Sequence, residues 1–213
     1  MSAQTPAWFH IGDKISAEDF LQSCTPLYTV LEGNHKSKSN EDPFMKAVLM
    51  GNHAMTKEDW ETAEKVRLTQ KVLEMKMGDL HEEVAGKFAG YETLPTGHST
   101  GVDVQKKDGT VVIELKNRDN TVKGSDGKHI IALLERHADE GKTAIFAQIN
   151  CPKGKVNRFG ASAKSKVVFM NGQQLYAFLS GRESFYDDLL RTVGHTFSTY
   201  KTLAELKAAL GIA

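Results

Sequence analysis

The stretch that decides the reading runs from Gly101 to Ser125, GVDVQKKDGTVVIELKNRDNTVKGS. Two β-type runs, Gly101 to Lys106 and Thr110 to Lys116, flank Asp108-Gly109. Asp-Gly between such runs is a strong hairpin signal, because both residues tolerate positive φ. A two-residue turn there pairs Lys107 with Thr110, and Asp103 then falls opposite Glu114. Cross-strand partners share a face, with Cβ atoms ~4.5–5.5 Å apart, so two carboxylates are held against each other. Val102, Val104, Ile113 and Leu115 point to the other face as core. Lys116, two residues beyond Glu114, joins the acidic face. Opposed acids destabilise a sheet unless a divalent cation sits between them, and an adjacent ammonium can orient one of that cation's waters. The plainer reading is a half-exposed sheet face on which Lys116 neutralises the two acids.

Upstream, the chain reads as helical. Ser16 with Asp19, and Thr56 with Asp59, are N-cap patterns. Leu73, Met77, Leu80, Val84 and Phe88 then recur at spacings of three and four, one apolar stripe on a long helix that Gly78 weakens. The polar segment from Gly33 to Pro43 reads as a loop. Downstream come a helix over 126–140, a buried strand from Thr143 to Ile149, a basic Gly-rich loop from Pro152 to Lys166 and a strand from Lys166 to Met170. Asn171 can cap a helix reaching Leu179, another surrounds Tyr186 to Leu190, and Thr202 with Glu205 forms a capping box. Helices, three or four strands with an embedded helix, then helices again give an α/β or α+β chain. The expected layout is a single domain over 1–213, with a helical part over 1–95, a core over 75–180 and C-terminal helices over 183–213.

Composition narrows the class. With 40% hydrophobic and 25% charged residues, the 213-residue chain is neither disordered nor a fibre. No apolar run approaches the ~20 residues of a membrane span, and the N-terminus lacks a signal-peptide pattern, so the expectation is a cytoplasmic protein with no membrane partner. Cys24 and Cys151 lie far apart, which argues against a disulfide scaffold and a thiolate zinc site. Basic and acidic residues number 27 each, but unevenly. Glu41 to Leu94 holds 11 acidic and 7 basic residues, whereas Lys142 to Arg182 holds 7 basic and no acidic ones. The second segment is suited to following a nucleic-acid backbone.

Gly101-Val102-Asp103 followed by Glu114-Leu115-Lys116 resembles the signature of the PD-(D/E)xK nuclease superfamily, without its proline. Glu114 to Thr121 (ELKNRDNT) is similar to the ELKN-x-x-NT stretch of a type II restriction endonuclease group that cuts GGNCC-like sites. Gly78-x-x-His81-Glu82, before Val84 and Gly86, is similar to that group's helix. The likeness covers about 75–150 and implies a restriction-endonuclease-like fold, a mixed central sheet flanked by helices. It further implies a Mg²⁺-dependent, site-specific double-stranded DNA endonuclease, with Mn²⁺ able to substitute, acting as a homodimer and leaving 5′-phosphate and 3′-hydroxyl ends. Asp103 and Glu114 would bind metal with the Leu115 carbonyl, and Lys116 would orient the attacking water. A repair or junction-resolving nuclease, a non-catalytic DNA-binding domain and a hydrolase of small phosphoesters are the alternatives.

The superfamily often adds an acid from the preceding helix. Motif position favours Glu82; an ideal helical wheel puts Glu82 opposite the Leu80 and Val84 stripe and Glu83 nearer its flank. Asn117, Asn120, Thr121, Lys123 and Ser125 follow the catalytic strand as candidate DNA contacts, Asn for base edges, Lys and Ser for phosphates. Asn120 and Thr121 could equally make a turn, and Ser125 a helix cap. Lys153, Lys155, Arg158, Lys164 and Lys166 are the basic loop's expected DNA contacts, the first three foremost. None of the eight histidines is assigned to catalysis.

Overall fold

Side chains start the first helices where the sequence places them. In α1 (Ala17–Leu31) the Ser16 hydroxyl accepts the Asp19 N–H, and α3 (Lys57–Gly86) opens with a full capping box between Thr56 and Asp59. Between them stands α2 (Pro43–His53), a helix beyond those expected. Its start signal is Asp42 as N-cap with Pro43 in the first turn. Phe44, Met45, Val48 and Leu49 stand at helical spacing, but none of its residues is buried. This computed structural model describes residues 6–34, 41–118, 124–151 and 154–212; most of the expected polar loop before α2 lies outside them.

Five strands form one mixed sheet in chain order: β1 (Tyr91–Thr93), β2 (Val104–Lys106), β3 (Val111–Arg118), β4 (Thr143–Asn150) and β5 (Val168–Asn171). The first three are antiparallel and the last three parallel. β1 exceeds the expected strand number; at three residues it is too short to show a pattern. The central hairpin takes the expected register, Val104 with Ile113 and Gln105 with Val112, through a wider turn. The Gly109 N–H closes on the Lys106 carbonyl, and only Gly109 has positive φ, at 75°. Asp108 instead uses its carboxylate, which accepts the Thr110 N–H and hydroxyl.

α4 (Gly124–Asp139) crosses from β3 to β4 over one face of the sheet. The core on that side gathers Val112, Ile131, Leu134, Ala144 and Phe146, with Phe159 of the basic loop packed on it. The opposite face holds the larger core. There Ile113, Leu115, Ile145 and Ala147 meet α1, α3, α5 (Gly172–Ser180), α6 (Phe185–Thr199) and Leu206 of α7 (Leu203–Ala209). α6 runs well past the expected five residues. Val102 lies in the α4-side core, away from Val104. The expected alternation therefore breaks at Asp103, and that break shapes the site.

Candidate active site

β2 leaves β3 at Asp103. The Asp103 N–H still reaches the Ile113 carbonyl (3.1 Å), while its own carbonyl accepts the Leu94 N–H from the other side (2.8 Å). The Leu115 N–H loses its ladder partner at this fork and donates to Asp103 Oδ2 at 2.7 Å. The carboxylate is thus clamped on the strand that carries Glu114 and Lys116. Lys116 Nζ lies 2.6 Å from Glu114 Oε1 and 3.4 Å from Asp103 Oδ2. The trio expected from the hairpin register is brought together, with Asp103 seated at a fork rather than within a ladder.

Electrostatics single out the same residues. Burial, and then the Asp103 charge, push the Glu114 carboxyl above the usual carboxylate range, against the pull of Lys116. Burial alone would lower Lys116; the charges of Glu114 and Asp103 outweigh it and hold the ammonium above its ordinary value. Burial and the Asp103 charge also push Glu82 up to about 7. Glu82 therefore faces the centre, and Glu83 is exposed. The helical wheel misleads because the end of α3 is covered on two sides. Leu80 and Val84 enter the core, while β1 lies along Gly86 and the Thr93 hydroxyl donates to the Glu82 carbonyl (3.1 Å).

The donor set suits a hard divalent cation. It offers carboxylates without thiolate or imidazole, and a cation would offset both the burial and the Asp103 charge that raise Glu114. No group of three or more His, Cys, Asp or Glu side chains converges as a finished metal cage among the described residues.

The candidate DNA contacts separate. Asn117 is committed elsewhere: its Nδ2 donates to the Glu74 carbonyl (3.3 Å) and its Oδ1 accepts from Asn150 (2.7 Å). These bonds pin the end of β3 to α3 and tie the Asn117 side chain, which is half-buried, within the protein. Ser125 is exposed, with its hydroxyl toward Asp126. Lys155 and Arg158 are exposed in the basic loop, and the Arg158 guanidinium lies 4.3 Å from the Phe169 ring centroid. Lys166 of the same loop pairs with Asp139 at 2.7 Å, an acid from α4 that a count along the loop does not see. Asn120, Thr121, Lys123 and Lys153 lie outside the described residues. His137 Nε2 donates to the Thr100 carbonyl and His81 Nδ1 shares a hydrogen bond with the Tyr176 hydroxyl, both as buried packing groups.

A mixed sheet forked at two opposed acids, with a lysine two residues beyond the second, defines a metal-dependent nuclease of the restriction-endonuclease type. The profile of the family described as Eco47II restriction endonuclease matches residues 28–201, and the chain belongs to that family of type II site-specific deoxyribonucleases. The type II restriction enzyme Sau96I of Staphylococcus aureus is 28% identical, over 82% of this chain and 75% of that protein. The type II restriction enzyme Eco47II of Escherichia coli is 26% identical, over 53% of this chain and 48% of its own length. A sequence-specific DNA endonuclease dependent on a divalent metal is the consequence. No helix among the described residues is long and apolar enough to cross a membrane.

Proposed function

We propose that the metal is Mg²⁺, with Mn²⁺ able to substitute, held by Asp103, Glu114 and the Leu115 carbonyl. When bound, it supplies Lewis acidity at the scissile phosphate and lowers the pKa of a coordinated water. Lys116 orients the water that attacks phosphorus and offsets the negative charge that develops there. The P–O3′ bond breaks, the 3′ oxygen leaves as a hydroxyl and the 5′ side keeps the phosphate. Glu82 completes the acidic set, and its carboxyl near 7 can exchange a proton at neutral pH. The observation that carries this reading is Lys116 Nζ within 2.6 and 3.4 Å of two carboxylates, one of them pushed upward by burial and by the other.

Each chain carries one nuclease core over 1–213, and two cores related by a two-fold axis cut both strands of a palindrome. The working form is therefore a homodimer, acting in the cytoplasm on a short palindrome. The basic loop, with Lys153, Lys155 and Arg158, and the segment carrying Asn120, Thr121, Lys123 and Ser125 contact the DNA. The test is a digest of plasmid DNA in Mg²⁺, with run-off sequencing of the ends. Discrete bands with 5′-phosphates at one palindromic sequence are expected. A smear, or cutting confined to branched DNA, would replace the site-specific role with that of a repair or junction nuclease.

A further inference from the structure

Gln148 is the one polar residue in the buried stretch of β4 from Ala144 to Ile149, and it is fully buried in the sheet. It pairs in register with Lys116 on the neighbouring parallel strand, so the two side chains leave the same face side by side. Both stand near the carboxyl ends of parallel strands, where open α/β sheets take their ligands. The Gln148 amide is tied at one end only. Oε1 accepts the Asn157 N–H of the basic loop at 2.7 Å, which leaves Nε2 as the free end. That nitrogen is buried and has no hydrogen-bond partner among the described residues. Buried donors are nearly always satisfied, so one left open beside an active-site lysine marks the place of an acceptor that arrives with the substrate.

We propose that Gln148 is a further residue of the nuclease centre, whose Nε2 donates to the oxygen that Lys116 also faces. The inference rests on the endonuclease reading. An amide donor next to an ammonium is complementary to an electron-rich oxygen, either a non-bridging phosphate oxygen or the attacking water. Val156 and Phe159 of the basic loop pack on the same side of the sheet. The loop packs over the donor on that side, so the open direction of Nε2 is the one toward Lys116 and the oxygen it faces. Gln148 thereby joins the loop that would hold the backbone to the strand that holds the catalytic lysine.

Gln148→Leu and Gln148→Glu separate this role from a structural one. Glutamate keeps an oxygen to hold the Asn157 N–H and loses the donor; leucine loses both without adding charge. Each variant is compared with wild type by melting temperature, by affinity for the uncut cognate duplex in Ca²⁺, and by single-turnover cutting in Mg²⁺. The expectation is a loss of cutting of roughly 100-fold in both variants with folding retained. Affinity falling in parallel assigns the phosphate oxygen; affinity unchanged assigns the water. Gln148→Glu cutting like wild type overturns the proposal, whether or not Gln148→Leu folds, because a loop-holding role needs only the retained oxygen. A wild-type protein that does not cut would instead defeat the endonuclease reading itself.

Discussion

At the scale of single residues, the centre is a set of charges that the fold forces together. Asp103 is held by a backbone N–H and Glu114 by its burial, so neither can swing away from the other. Asp103→Ala and Glu114→Ala should therefore abolish cutting and leave DNA affinity within a few-fold in Ca²⁺. Without metal Glu114→Ala should melt at the same temperature as wild type or higher, because one of two repelling acids is gone. Asp103→Ala should instead melt lower, because the buried Leu115 N–H loses its acceptor. Lys116→Ala should lose cutting while titration calorimetry still finds the metal, since its role is toward water and phosphate. Glu82→Gln should impair cutting and Glu83→Gln should not, because Glu82 is pushed upward beside Asp103 and Glu114 whereas the Glu83 side chain is exposed. Equal activity of the two helix variants would remove Glu82 from the centre.

At the scale of elements, two glycines in one helix make opposite demands. A Cβ at Gly86 would lie 2.1 Å from Thr93 Oγ1 and 2.5 Å from the Thr93 backbone nitrogen, so β1 could not stay against α3. Gly86→Ala should cost about 1–3 kcal/mol through this overlap. A Cβ at Gly78 meets only the Asn117 Cβ, at 3.9 Å. Gly78→Ala should stabilise by up to ~1 kcal/mol, the ordinary helical gain of alanine over glycine. Thermal melts of the two variants should move in opposite directions, and a destabilised Gly78→Ala would mean a tighter α3–β3 contact than this. The same contrast shows what a sequence can carry. Capping pairs, the hairpin register and the long buried strand are local patterns, and they were legible. The fork at Asp103, the clasp of Asn117 on α3 and the pairing of Lys166 with Asp139 depend on residues distant in sequence. Gln148 had a signal, one amide inside the buried apolar stretch of β4, but its meaning depends on Lys116 lying alongside. α2 buries nothing, and its apolar residues at helical spacing stay at the surface behind an Asp-Pro start.

At the scale of the whole molecule, two properties follow from where the charges lie. Glu82 is raised from 4.5 to about 7 and Glu114 is raised as well, so folding favours their protonated forms. Their contribution to stability is fully present below about pH 4.5 and is lost as pH climbs through about 7. The metal-free protein should therefore lose melting temperature across that window relative to a Glu82→Gln, Glu114→Gln variant. The gain on adding Mg²⁺ should grow over the same range, since the metal takes the ionised acids. A Mg²⁺ gain that does not change with pH would separate these carboxyls from the metal. The second property is the basic run from Lys142 to Arg182, which contains no acid of its own. Lys166 finds Asp139, whereas Lys155 and Arg158 are exposed on the loop that covers the carboxyl end of β4. If they hold phosphates, charge reversal at each releases fewer counterions on binding and flattens the salt dependence by about one unit of slope per lost contact. The loss should be uniform across sequences, because a phosphate carries no base identity. A two-fold dimer presents every such residue twice, so each single substitution should cost about two contacts per duplex rather than one. Light scattering on the cognate complex, followed by a salt series with Lys155→Glu and Arg158→Glu, tests both points together. A slope unchanged by either reversal would move the DNA off this loop, and a change of one contact with a monomeric mass would remove the two-fold axis.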